Sequence, residues 1–475
     1  MGRNPKVAAF CFSGQQLPAV CHLMYTGIRG WNGISAQIMT NEQIGSIVVL
    51  LLVLISAAHL FGYLFARLRQ PRVIGEIAAG ILLGPTLLGR LAPGFSASLF
   101  AIPGSPSHMA HSVILEFIYT MGLLLLMFVS GTETRKLFGR EDRRQVAWLA
   151  SVGTGLPFLI ALLLVPLFPI QKLMGPAGQT TSLVLVIGIA VAVTSIPVIS
   201  RIFHDLNIMH TRFARLVLGV AVIEDIALWA VLAIATALAK SAVLPKSEIF
   251  HHVTATLIYF AAGLTIVPPL LVRLNQARWN VLAKASPIGY LITVLFAFCA
   301  VAAMLNVNLV FAAFLAGYGI ARERESFHAA LESLSKFSFG VFIPVYFLIV
   351  GFRLDLGRSY SFAMLGIFLA VACGIKLLSV GIGARLAGFR GLDIVNLAVA
   401  TNARGGPGIV LASVAYDAGI VNAQGFATLV LVAILTSQAA GVWLEFVLRK
   451  GWPLLSAAPS LARAKADPET DLQTA

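Results

Sequence analysis

The chain has 475 residues, 58% of them apolar and only 11% charged, against roughly 45–50% and about 25% in soluble domains. That balance excludes an ordinary soluble globule, a disordered chain and a disulfide-stapled secreted domain, and the four cysteines (Cys11, Cys21, Cys299, Cys373) form no CxxC pair. The excess of 34 Lys and Arg over 20 Asp and Glu reads as loops that orient a membrane protein, not as a nucleic-acid surface.

Residues 1–43 form an N-terminal extension. Its longest apolar run, Val7 to Phe12, is too short for a signal-peptide core, and Met39 is a candidate start. A membrane crossing needs about 20 mostly apolar residues. Such runs lie near 44–66, 73–91, 112–131, 145–168, 180–202, 213–239, 252–272, 286–305, 307–321, 337–353, 361–384, 392–416 and 421–446. The stretch 286–321 would run about 54 Å as one helix at 1.5 Å per residue, so a break is expected at Asn306-Val307-Asn308. The expected fold is an all-α polytopic membrane protein of about thirteen transmembrane helices. Residues 447–475 read as a disordered cytoplasmic tail, too short for a nucleotide-binding domain.

Basic residues alternate with this count. Twenty-three fall in the odd-numbered loops and tail, from Arg67, Arg69 and Arg72 to Lys465, against eight on the opposite side. The positive-inside rule then puts the N-terminus outside and the C-terminus in the cytoplasm.

Two segments carry helix-breaking or polar residues at their middle. The fifth reads Val193-Thr194-Ser195-Ile196-Pro197, and the twelfth Thr401-Asn402-Ala403-Arg404-Gly405-Gly406-Pro407-Gly408. Unpaired backbone inside a membrane is tolerated only where it lines a cavity or is buried in protein. Paired interruptions point to a transporter's binding site. Their offset of seven segments, an odd number, makes the repeats inverted, about 44–239 and 286–446 with 252–272 as linker. Only six Asp, Glu, Lys or Arg residues fall well inside apolar segments: Glu76, Glu116, Glu224, Asp225, Lys376 and Arg404. Each costs roughly 2.5–3.5 kcal/mol at a span centre. Glu76 and Glu116 lie nearer segment ends, from which they can reach outward.

Glu224 and Asp225 point about 100° apart, so one can pair with Lys376 while the other stays free for a cargo. Arg404 suits the carbonyl ends of its broken helix. A desolvated carboxylate seeks a proton or a small cation. If Asp225 takes either but not both, and must be loaded to cross, the result is exchange of a cation for protons. Thr194, Ser195 and backbone freed at Ile196, Pro197, Thr401, Asn402 and Gly405 would supply neutral oxygens, placing a monovalent cation at Asp225 and Thr194. No GxxxxGK[ST] or HExxH motif occurs, and adjacent acids on a helix cannot form an aspartyl dyad, so an enzyme is not expected. A channel, or proton-coupled uptake of an organic solute, is the rival reading.

The runs Gln70-Pro71-Arg72-Val73-Ile74-Gly75-Glu76 and Gly80-Ile81-Leu82-Leu83-Gly84-Pro85 resemble the monovalent cation:proton antiporter-2 family, which includes Kef-type and bacterial Na+/H+ antiporters. So do Thr194-Ser195-Ile196-Pro197-Val198, Ala221-Val222-Ile223-Glu224-Asp225, Ile343-Pro344-Val345-Tyr346-Phe347, Gly351-Phe352-Arg353-Leu354-Asp355 and Asn402-Ala403-Arg404-Gly405, in family order over about 44–446. The resemblance implies a core of two crossed broken helices and a dimerisation panel, hence a homodimer in lipid. It implies that Asp225 binds cation or proton, that Lys376 pairs with the preceding acid, Glu224, and that Thr194 and Ser195 lie at the unwound crossing. Glu224 departs from the Asp, Asn or Gln more usual there. The implied function is exchange of Na+, or K+, for protons without a cofactor, with a Kef-type K+ efflux transporter or channel as the alternative.

Overall fold

The computed structural model describes residues 40–68, 70–100, 106–134, 142–164, 170–240, 246–356 and 360–456. Met39 and residues 457–475 of the expected tail lie outside them. The described residues are almost all helical, with no strand and one isolated bridge, Met174 to Val421. In chain order the helices are α1 (Asn41–Arg67), α2 (Arg72–Leu83), α3 (Leu88–Leu91), α4 (Pro93–Phe100), α5 (Pro106–Glu133), α6 (Arg143–Ala150) and α7 (Leu156–Leu164). They continue with α8 (Thr180–Ala192), α9 (Ile196–Asp205), α10 (Arg212–Lys240), α11 (Lys246–Thr265), α12 (Val267–Gln276), α13 (Val281–Ala285), α14 (Pro287–Met304) and α15 (Leu309–Ile320). The last six are α16 (His328–Gly340), α17 (Phe342–Phe352), α18 (Phe362–Leu386), α19 (Leu392–Thr401), α20 (Gly405–Asp417) and α21 (Ala423–Arg449).

Local chemistry sets the ends. Ser195, Ser286, Asn308, Ser361 and Asn422 precede α9, α14, α15, α18 and α21, and each side chain accepts a backbone N–H of the first turn, relieving donors that have no partner within the helix. The break expected at 306–308 is present: Asn306 takes a positive φ of 56° and Asn308 caps α15. A π-helical turn, Ser151–Gly155, joins α6 to α7. α11 and α12 meet at a 48° bend where Pro268 and Pro269 remove backbone donors.

Nine helical segments among the described residues are long and apolar enough to cross a membrane, or ten with the bent α11–α12 pair. The chain is a multi-pass membrane protein. The expected thirteen are not reached by this criterion, for a physical reason. Two of the missing segments are the interrupted ones, whose halves run only 10–13 residues, and the third is α15, with 12. The final helix also extends past the expected boundary at 446 to Arg449. Beyond it, the Asn396 amide donates to the Leu454 carbonyl at 3.1 Å, and Ser456 N and Oγ donate to Asp393 at 2.9 and 3.0 Å, so residues up to 456 dock on α19.

Two close crossings stand out. α5 packs on α15 and α2 on α17. At the first, Gly131 faces the Phe314 carbonyl and Gly317 faces that of Phe128; at the second, Gly80 faces the Leu348 carbonyl and Gly351 that of Ile77. A side chain at any of the four would strike that carbonyl. The offset of seven segments expected from the sequence carries the second and tenth segments onto the ninth and third, so the two crossings occupy corresponding positions under it. A second set of packed helices comprises α8 with α10, α18 with α19 and the π turn, and α20 with α21. This set holds the two interrupted segments.

Candidate functional site

The interrupted segments cross at their breaks. Between α8 and α9 the chain is extended at Val193 and Ser195; between α19 and α20 it unwinds over Asn402–Arg404. Ser195 N–H donates to the Ala403 carbonyl at 2.7 Å, and the Thr194 hydroxyl donates to the Thr401 carbonyl at 2.5 Å. Gly405, at φ +36°, lies so close to Val198 and Ser195 that a Cβ would collide with them. The Ser195 hydroxyl accepts from Val198 N–H at 3.2 Å, with Ile196 opening α9 and Pro197 in its first turn, where a missing donor costs nothing.

The freed carbonyls are claimed by two buried cations. Arg404, 1% exposed, donates from Nε to Ala190 O at 2.7 Å and from Nη2 to Val191 O at 3.2 Å and Ala372 O at 3.1 Å. Its Nη1 reaches Asn402 Oδ1 at 2.9 Å. Lys376 Nζ donates to Ala192 O at 2.5 Å and to Glu224 Oε1 at 2.8 Å. Both charges therefore sit at the negative end of α8, where the helix dipole favours them. On the other side, Arg404 N–H and Gly405 N–H donate to the Thr436 and Ser437 hydroxyls of α21.

Glu224 and Asp225, both at most 1% exposed, part company. Glu224 Oε1 takes the ammonium of Lys376 and the hydroxyl of Thr154, the latter at 2.5 Å. Thr154 stands in the π-helical turn, a geometry that often marks functional positions. Neither oxygen of Asp225 has a hydrogen-bond partner, and neither does Glu224 Oε2. The structure thus joins Glu224 to Lys376, Thr194 to Thr401, and Arg404 to Asn402 and the α8 terminus. It makes no hydrogen bond between Asp225 and Thr194 or Ser195. No group of three or more His, Cys, Asp or Glu suited to a resident metal occurs among the described residues.

A cavity of about 750 Å³ opens beside this crossing. Its lining includes Val198, Gly406, Pro407 and Trp229, one helical turn beyond Asp225, together with Arg72, Glu76, Glu133 and His204. At the opposite ends of α5, α17 and α20, Arg353 donates to Asp417 at 2.8 Å and Glu116 at 3.1 Å. Its guanidinium lies 4.1 Å from the Tyr119 ring, and Tyr119 donates to Asp417 at 2.7 Å. Glu116 is exposed, as its place near a segment end suggested. Glu76 is not: only 7% exposed, it lies inside the fold.

Sequence reasoning missed Thr154, Thr436, Ser437 and the Arg353 cluster. The run Ser151-Val152-Gly153-Thr154-Gly155, polar and glycine-rich within an apolar segment, was the available signal for the first.

Comparison with known proteins places the chain in a family. The family described as sodium/hydrogen exchanger, transmembrane, matches residues 49–450. Cation/H(+) antiporter 18 of Arabidopsis thaliana is 27% identical over 403 residues, covering 82% of this chain and 47% of that protein. The chain thus spans about half the length of that relative. The Na(+)/H(+) antiporter NhaS4 of Synechocystis is 28% identical over 402 residues, covering 82% of this chain and 93% of NhaS4. The fold matches that of the sodium proton antiporter MjNhaP1 from Methanocaldococcus jannaschii, with a TM-score of 0.55 at 14% identity, over 85% of this chain and 96% of that one. With the family match running through nearly all of its helices, the chain belongs to the transmembrane sodium/hydrogen exchanger family.

Proposed function

We propose that this protein exchanges a monovalent cation, Na+ first and K+ second, for protons by alternating access, with Asp225 as the shared site. The observation that carries the proposal is the carboxylate of Asp225, buried with both oxygens unpartnered. A bare buried carboxylate is costly, so the site must be filled by a proton or a cation before it crosses. Lys376 is already engaged by Glu224 and Ala192 and leaves Asp225 to the cargo. The Thr194 hydroxyl, which donates to Thr401, keeps its lone pairs for a cation. Relatives named for Na+/H+ or cation/H+ antiport support the same exchange. The cavity serves as access from one side, and the Arg353 cluster closes the other.

In this proposal the chain is a transporter without catalysis or resident cofactor, and works as a homodimer in a bacterial plasma membrane with its C-terminus in the cytoplasm. The distribution of basic residues supports that orientation and makes the cavity the cytoplasmic one.

The test is proton movement in proteoliposomes of the purified chain, driven by gradients of Na+, K+ or Li+ with and without an imposed potential. Saturable proton counterflow is expected for Na+ or K+. Cation flux without proton counterflow would mean a channel and overturn the proposal.

A further inference from the structure

Glu76 takes no part in the Asp225 crossing, yet it is the buried carboxylate of the cavity. It sits in the second turn of α2, 7% exposed, with its side chain on the cavity wall. One glycine explains how an acid comes to lie there. Gly75 lets α2 approach the Phe61 carbonyl of α1, where a Cβ would collide, and the Glu76 side chain lies at ordinary contact distance from Gly62. Arg72, one turn earlier at the spacing of a helical ion pair, is exposed and forms no ion pair with Glu76 among the described residues. The other ionisable groups on the wall are His59 and Tyr63 of α1, Glu133 of α5 and His204 of α9. The α17 contribution to the wall is Phe347, which carries no charge. His59 is engaged with the Gly340 carbonyl at 2.8 Å.

A carboxylate held this way is neither solvated as at a surface nor neutralised as Glu224 is by Lys376. It needs a positive partner, and the cavity is where one can arrive. The same cavity runs on to Trp229, whose indole N–H is also without a hydrogen-bond partner, one turn from Asp225.

We propose that Glu76 is a second carboxylate site, between the cavity mouth and Asp225, which holds the transported monovalent cation and a proton in alternation. The proposal rests on the exchange at Asp225 proposed above. It gives the cavity side of the transporter a staging site.

The test begins with the full chain carrying Asp225→Asn, which leaves Glu76 native and needs no transport for its readout. Dicyclohexylcarbodiimide modifies protonated carboxyls in apolar surroundings, and peptide mass spectrometry reports the extent of modification at Glu76. Labelling is expected, and its rate should fall several-fold when NaCl or KCl replaces choline chloride at constant ionic strength. Absent labelling, or labelling indifferent to Na+ and K+, would overturn the proposal whether or not Asp225 proves to be the exchange site. In the otherwise native protein, Glu76→Gln should raise the apparent KM for cation several-fold more from the cavity side than from the other side, and Glu76→Asp should restore part of the difference. An equal change on both sides, or a lower maximal rate alone, would mark a merely structural glutamate.

Discussion

The broken-helix crossing and the Asp225 pocket lie on neighbouring elements, and they treat polar groups in opposite ways. At the crossing, the carbonyls of Ala190, Val191, Ala192 and Thr401 are all taken, by Arg404, Lys376 and Thr194. One residue beyond the Glu224 that anchors Lys376, Asp225 has nothing. Backbone interrupted inside a membrane must be satisfied internally, so the protein invests two buried cations in holding the break rigid. The carboxylate is left bare against that frame. The contrast separates structural from functional charge: a group whose partners are all supplied by the protein holds shape, and a group denied partners awaits a ligand.

That contrast can be broken from the structural side first. Arg404→Ala should have the largest effect on stability. It strips donors from Ala190, Val191 and Ala372, at about 1–3 kcal/mol for each buried group left unpaired, and should reduce both the folded yield and the thermal midpoint in detergent. Lys376→Gln comes next, because removing one partner of a buried pair typically costs about 3–5 kcal/mol. Combined with Glu224→Gln, much of that loss should return, while Asp225-dependent exchange continues with less dependence on membrane potential. A double variant as unstable as the sum of the singles would show that the pair is not coupled.

Thr154→Val should cost less, about 1.5–3 kcal/mol, the range for a hydrogen bond to a charged group. It should loosen Glu224 and alter the potential dependence of transport more than its maximal rate. Arg353→Gln is the smallest. Its partners Glu116 and Asp417 are 63% and 38% exposed, and exposed pairs contribute at most about 1 kcal/mol. Thermal melting should scarcely shift, while exchange becomes faster or slower as the far end opens more readily.

The residues that disrupt local regularity were legible in the sequence. Thr194-Ser195-Ile196-Pro197 and Asn402 to Gly408 announce their breaks through small, polar and proline residues, and Glu224, Asp225 and Lys376 stand out against apolar neighbours. Features that depend on what packs opposite were not. Thr154 matters because a π turn aims its hydroxyl across to α10, and Thr436 and Ser437 matter because they meet the start of α20. Glu76 lies near a segment end, and only the structure shows that Gly75 beside it brings the Phe61 carbonyl of α1 into close approach. The count of thirteen spans is not confirmed by the length criterion for a similar reason. Apolarity marks 307–321 as a segment, but a 12-residue helix rises only about 18 Å and packs against α5 and α14.

The central claim is that the bare carboxylate of Asp225 is the shared seat of cation and proton. Asp225→Asn keeps the shape of the side chain, removes its charge and cannot titrate. The direct measurement is cation-driven proton movement in proteoliposomes containing equal amounts of folded wild-type or Asp225→Asn protein, with matched thermal melts as the control for folding. Saturable exchange in the wild type, and none above protein-free vesicles in the variant, is the expected result. Exchange by the variant at the ordinary rate would contradict the account.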